Sequence, residues 1–310
     1  MSASGPSVAL GHNTLPDGPL NFSHFRIHQL IASGISNKVW LAEYKATSQL
    51  WVLRVPKEDV DDAGQKAQSR VVDSLKTVGQ DSFVLGLERT FRTETELFHV
   101  AQHMTGGDLE EYMRRHGELG PKAAQTCAAE ICHALTFLHA NGLLHRNIKA
   151  DNVLIAADGH IKLTGFSVAK AGMESSSRTT SFCGSNDLAP EILLDQPYGR
   201  AVDWWGFGVL LFEMIQCESP FQAEDQNAVY DAILDEAQPR YPPEMPPSTS
   251  SILQQLLASK PERRLGSGHT GSREIMLHDY FDGISWEDVE NRRIEAPFSR
   301  SSEMSPHPKV

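Results

Sequence analysis

The chain has 310 residues, 40% of them hydrophobic and 22% charged, and a formal net charge of −12. Its length suits one large domain or two lobes around a cleft, and its composition is that of an ordinary soluble globular protein. The acidic balance excludes a general nucleic-acid binder and a polybasic membrane anchor, and it is compatible with basic peptide partners. Cys127, Cys132, Cys183 and Cys217 have neither paired metal-ligand spacing nor the look of a secreted framework, which predicts free thiols. Met1 to Asn21 is rich in Ser, Gly and Pro without an apolar core, so no signal peptide is read there. Ser2 stands where myristoylation needs glycine, and the longest apolar run, Phe207 to Ile215, is too short to span a bilayer. A cytoplasmic or nuclear protein is expected, with flexible ends over 1–24 and 299–310.

After the leader, Phe25 to Ile31 alternates in polarity, Ala32 to Asn37 turns, and Lys38 to Tyr44 and Trp51 to Val55 are β-rich. Val71, Val72, Leu75 and Val78 suit one face of a helix within Asp59 to Val78. Two further strands are predicted over Phe83 to Leu87 and Leu97 to Gln102. From Asp108 the pattern turns helical, with a short helix Leu109 to Arg115 and a long one from Pro121 to Asn141. Strands Asn152 to Ile155 and His160 to Leu163 flank an Ala157-Asp158-Gly159 turn. Asp203 to Cys217, Gln226 to Glu236 and Ser248 to Leu257 are read as helices. A β-rich first half and a helical second half predict an α+β, two-lobed domain.

The most informative segment is His145-Arg146-Asn147-Ile148-Lys149-Ala150-Asp151-Asn152. It is followed in order by Thr164-Gly165-Phe166-Ser167, Ala189-Pro190-Glu191, Asp203-Trp204-Trp205-Gly206 and Arg263-Arg264-Leu265-Gly266. One short motif carries little weight, whereas this order and spacing over nearly the whole chain carry much more. With Met104-Thr105-Gly106-Gly107-Asp108-Leu109, Phe182-Cys183-Gly184, Pro197-Tyr198-Gly199 and Ile284-Ser285-Trp286, the chain resembles the AGC group of Ser/Thr protein kinases. Within that group it is similar to the protein kinase C and protein kinase N branch. The resemblance covers about 25–298 and implies a bilobal kinase fold, with an N-lobe over 25–103 and a C-lobe over 104–286. The beginning of the group's tail follows over 287–298. No F-x-x-F motif follows before Val310, and no regulatory domain is read ahead of Phe25.

Set against that group, the departures fall on chemistry. The resemblance implies an aspartate at 147 that takes the substrate hydroxyl's proton; Asn147 is neutral and cannot act as that base. Gly165 replaces the metal-binding aspartate and offers no side chain to a hard cation. Asn152, the other implied metal ligand, is left to hold magnesium weakly or not at all. In the implied glycine-rich loop only Gly34 is kept. Arg54 stands at the phosphate-holding lysine, and its helix partner aligns with Ser69 instead of glutamate. Arg54 reads equally as a phosphate contact or as a solvated, locally paired cation. The adenine side is implied to be lined by Ile31, Val39, Val52, Leu154 and the hinge residues Gln102 and His103, with ATP as the cofactor. Lys149 remains to meet a transferring phosphate.

Positions implied to be architectural survive. They are His145 and Phe166 in the core, the ion pair Glu191 and Arg264, and Asp203 beneath the catalytic loop. Asp108 and Asp151 match sites that grip arginine in peptide substrates, although a helix-cap carboxylate and a solvated loop residue explain them equally. Ser181 matches the activation-loop phosphorylation site with Arg146 as its phosphate partner, or is an unmodified serine in a mobile loop. The expected function is that of a catalytically defective, protein kinase C-like domain, a pseudokinase. It would act as a scaffold or allosteric regulator for protein partners, such as basic peptides or an active kinase. A weakly active ATP-dependent Ser/Thr kinase and an ATP sensor without turnover are the alternatives.

Overall fold

In the computed structural model of the chain, the described residues are 15, 16, 18–33, 37–56, 70–76, 81–86, 88–181, 188–235, 239 and 241–298. Gly34, Ser69, Val78, Leu87 and Cys183, with the rest of 182–187, lie outside them. The chain divides into two compact units. One falls within Met1–Asp59 and Leu87–His103, the other within Val60–Gly86 and Met104–Pro308.

The first unit is a five-stranded antiparallel sheet in the order β1-β2-β3-β5-β4. Its strands are β1 (Phe25–Ser33), β2 (Asn37–Tyr44), β3 (Gln49–Pro56), β4 (Arg89–Arg92) and β5 (Leu97–Gln102). Alternation sends Trp51, Leu53 and Val55 to one face, where they bury with Phe25, Phe91, Phe98 and Val100. Three of these rings form a stack, with Phe91 5.7 Å from Phe25 and 4.8 Å from Phe98. Leu15 enters the same core and Phe22 sits 5.4 Å from Phe98, both ahead of Phe25 in the chain.

The second unit is mainly helical. Its helices are α1 (residues 70–76), α2 (Leu109–His116), α3 (Pro121–Ala140), α4 (Pro190–Leu193), α5 (Ala201–Gln216), α6 (Gln226–Leu234), α7 (Pro247–Leu256), α8 (Ser272–Met276) and α9 (Trp286–Glu290). A hairpin of β6 (Val153–Ile155) and β7 (Ile161–Leu163) lies among them. Helices α3 and α5 are apolar on most of their circumference because each is packed on several sides. Gly208 permits a close approach of α5 to α7, since a Cβ there would come within 2.8 Å of Leu256 Cβ.

The strand expected over Phe83 to Leu87 is not formed in the described residues. Val84 instead makes an isolated parallel bridge to Leu163, and β4 begins at Arg89. Leu163 donates to the Phe83 carbonyl at 2.7 Å and Leu85 donates back to the Leu163 carbonyl at 2.8 Å. Phe83, Val84 and Leu85 are all buried, so they read as a strand although only one position pairs. Cys127 and Cys132 are buried free thiols, with burial pushing the Cys127 pKa up and Cys132 to about 12, so both are inert. No helix among the described residues is long and apolar enough to cross a membrane.

A buried ion pair in this unit joins α4 to the segment after α7. Arg264 meets Glu191 with both ends of its fork, at 2.7 and 2.9 Å, and both side chains are buried. The guanidinium also donates to the carbonyls of Ala201 and Ala258 and lies 5.1 Å over the Trp205 ring. Glu191→Ala would strand a buried, charged guanidinium, and the expected loss is about 3–5 kcal/mol of stability. Urea unfolding of the variant beside the parent checks it, and a loss within error would show the pair to be dispensable.

Candidate active site

The catalytic-loop segment is held from beneath by one carboxylate. Asp203 lies in the first turn of α5 and is fully buried. Its Oδ2 accepts from His139 Nε2 at 2.7 Å and from the His145 backbone N–H at 2.9 Å. Its Oδ1 accepts from the Arg146 N–H at 2.7 Å. Burial pulls the Asp203 pKa up, but the His139 hydrogen bond, the nearby His charges and the backbone donors outweigh it and hold the pKa low. With two successive amides tied to one carboxylate, Arg146 takes a left-handed φ of 65°. That conformation costs a non-glycine residue of order 1–3 kcal/mol and persists only where its surroundings enforce it.

His145 is buried and keyed to the next motif. Its Nε2 donates to the Thr164 carbonyl at 2.6 Å, and its Nδ1 accepts from the Asn147 N–H at 3.3 Å. This is the pattern of a neutral imidazole, and burial lowers the His145 pKa accordingly. The ring meets Phe166 edge-on at 5.0 Å, so the two expected core residues touch. Arg146 reaches the other way, to the Val168 carbonyl at 2.7 Å and the Tyr198 hydroxyl at 3.0 Å. The Tyr198 hydroxyl donates to the carbonyl of the exposed Ser181 at 2.5 Å, so Arg146 reaches Ser181 through Tyr198. Lys170 Nζ donates to Thr179 Oγ1 at 2.6 Å, which lies 3.1 Å from Ser181 Oγ. Sequence reasoning gave His139, Lys170, Thr179 and Tyr198 no role. Tyr198 sits in a motif that was legible, whereas nothing local marks Lys170.

The residues at the chemical positions are engaged with each other. The Asn147 carbonyl accepts from Asn152 Nδ2 at 2.8 Å. Lys149 pairs with Asp151 at 2.9 Å, both side chains being more than a third exposed. Asp108 Oδ1 accepts the Glu111 N–H at 2.8 Å and caps α2, which is the helix-cap role open to it from sequence. Gly165 adopts φ 88° and ψ 32°, a left-handed conformation that glycine takes without strain.

In the sheet unit, Val39 is the cross-strand partner of Arg54. Partners share a face and alternate residues along a strand do too, so Val39, Val52 and Arg54 stand together, opposite Trp51 and Leu53. Gln102 partners Trp51 and so belongs to the other face. His103 follows β5, Ile31 lies on β1 at the register shift between Leu30 and Ala32, and Leu154 lies on β6 of the helical unit. Burial lowers the pKa of Arg54 and of His103.

This order of elements and this loop architecture define a kinase-type domain. Residues 25–281 match the protein kinase domain family, and the chain belongs to it. It is 41% identical over 300 residues to a protein kinase C-like protein of Cochliobolus heterostrophus, covering 95% of this chain and 25% of that protein. It is 40% identical to protein kinase C of Aspergillus fumigatus, over 94% of this chain and 27% of that protein. It is 34% identical to RAC-beta serine/threonine-protein kinase B of Xenopus laevis, over 90% of this chain and 58% of that protein. The chain thus spans about a quarter of the length of the protein kinase C relatives it matches.

A kinase domain generally implies ATP, and with it a hard divalent cation that takes oxygen ligands. Gly165 supplies none, and Asn152, whose Nδ2 donates to the Asn147 carbonyl, offers a single side-chain oxygen, Oδ1. No group of three or more His, Cys, Asp or Glu able to hold a metal occurs among the described residues. These residues do not fit the cation.

Because the Asp203 pKa is held below its usual 3.8, its stabilisation is complete above that pH and is lost as pH falls through the folded value. Asp203→Asn is expected to cost about 3–5 kcal/mol near neutral pH and to flatten the acid limb of the stability curve. Urea midpoints measured between roughly pH 3 and pH 7 check both.

Proposed function

We propose that this chain is a catalytically defective kinase domain, a pseudokinase, that acts as a protein-binding scaffold or allosteric regulator. One observation carries the reading: neutral Asn147 stands on a loop held by the Asp203 and Thr164 bonds of His145 and Arg146, while the segment after β7 carries Gly165, which has no side chain to offer. Phosphoryl transfer depends on positioning and on charge stabilisation. Here the positioning groups are kept, and the carboxylates expected at 147 and 165 are absent. Loss of a general base alone costs about 10²- to 10⁴-fold in rate. Lys149, the remaining phosphate-facing cation, is paired with Asp151.

The partners are proteins. The net charge of −12 favours basic segments, and an active kinase of the same group is a second partner class. Asp151 is the acidic contact for a basic peptide once Lys149 swings aside, a small cost for a pair so exposed. Nucleotide sensing without turnover is the second reading, supported by the shared face of Val39, Val52 and Arg54.

A thermal-shift titration with ATP, with and without magnesium, run beside a phosphotransfer assay, tests the proposal. A ligand at a hundred times its dissociation constant stabilises by about 2.7 kcal/mol. The expected result is no magnesium-dependent stabilisation and no transfer. Robust transfer by the unmodified chain that Lys149→Ala abolishes would overturn the pseudokinase reading.

A further inference from the structure

The chain ahead of β1 lies on the aromatic face of the sheet without adding a strand to it. Leu15 is buried in the cluster of Phe25, Trp51, Phe91 and Phe98, and Leu20 packs against the same cluster. Phe22 stands 5.4 Å from Phe98. Pro16 and Pro19 have no N–H to give to a ladder, which suits a segment seated on a face instead of along an edge. Their fixed φ also lowers the entropy lost when the segment settles.

Two cations fasten the segment. Arg89 Nη2, at the start of β4, donates to the Pro16 carbonyl at 2.8 Å. Lys45 Nζ, just after β2, donates to the Ser23 carbonyl at 2.7 Å, and the Lys45 N–H meets the His24 carbonyl at 3.0 Å. Beside this second clasp Asn21 closes a short turn, its Oδ1 accepting from the Ser23 N–H at 3.0 Å. Because β4 and β1 are opposite edges of the sheet, a segment fastened to Arg89 that then enters β1 runs across the face. The crossing is four strand spacings, on the order of 20 Å, within reach of an extended chain of that length.

The seat is shallow all the same. Of the described residues from Leu15 to His24 only Leu15 is buried, and Pro16, Gly18, Pro19, Asn21, Phe22 and Ser23 are exposed. Both fastening side chains bond at exposed positions, where water competes for donor and acceptor alike. A segment that orders many residues for little buried area opens locally while its neighbours stay folded.

We propose that this segment is a detachable strap, clasped by Arg89 and Lys45, that shields the aromatic face of the sheet and uncovers it on lifting. Lifting breaks no ladder bond, because β1 begins only at Phe25. The face is the one opposite Val39, Val52 and Arg54, so the device stands whether or not the chain transfers phosphate.

Thiol labelling in the full chain, read site by site by mass spectrometry, tests the strap. Leu15→Cys reports its opening, and Ala101→Cys, at a buried position on β5, reports opening of the sheet itself. The Leu15→Cys thiol is expected to react at least tenfold faster than Ala101→Cys and at least tenfold slower than it does in the urea-unfolded chain. A rate equal to that of Ala101→Cys would make the segment an inseparable part of the sheet. A rate equal to that of the unfolded chain would leave it unseated. Either result overturns the proposal. Arg89→Met, which keeps the stem and drops the charge, is expected to raise the Leu15→Cys rate roughly three- to tenfold and leave that of Ala101→Cys alone; no change would show that the clasp holds nothing. Leu15→Asp is expected to raise the emission of the apolar dye anilinonaphthalene sulfonate severalfold below the thermal midpoint. Unchanged emission would mean that lifting uncovers no apolar face, again overturning the proposal.

Discussion

The loop that identifies this chain exists in its observed shape because of one buried carboxylate. Removing Asp203 from water is expensive, and three donors converging on its two oxygens offset that cost. Two of the three are successive backbone amides, so the carboxylate fixes main-chain direction as well as charge. It holds Arg146 at a φ that an arginine would otherwise avoid, and this aims the guanidinium at Val168 and Tyr198. It also sets His145 where one ring nitrogen meets Thr164 and the ring edge meets Phe166. None of these bonds uses the side chain of residue 147. The loop can therefore exchange a carboxylate for an amide at that position and keep its form.

Helix α5 supports a second network a few residues along. The Ala201 carbonyl and the Trp205 ring both receive Arg264, whose fork closes on Glu191. The catalytic loop and the end of the activation segment are thus referenced to the first two turns of one helix. That helix is apolar nearly all round and packs against α3 and α7.

Much of this was legible before any coordinates. Alternation marked β1, where one face of the sheet buries aromatic and branched residues, and β-rich composition marked β2 and β3. The run from Phe83 misled for the opposite reason. Its residues are buried on every side, and a continuous apolar run does not distinguish a strand from a packed connector. At the site, spacing located His145, Arg146, Lys149 and Asn152, since their separation follows from one loop conformation. Lys170 escaped notice because its role depends on Thr179, brought back by the bridge to Tyr198. The pairing of Lys149 with Asp151 was likewise invisible, because it depends on a side-chain direction that no spacing encodes.

The substitutions also make electrostatic sense as a set. Asparagine at 147 and glycine at 165 are uncharged, while Lys149 is kept in the same unit. Lys149 then finds its counter-charge in Asp151, exposed enough that water shares the load. Arg54 stands where burial lowers its pKa. A lysine in such a place surrenders its proton readily, whereas a guanidinium stays charged because its delocalised cation is more weakly hydrated. Arginine at this position therefore suits a buried positive charge.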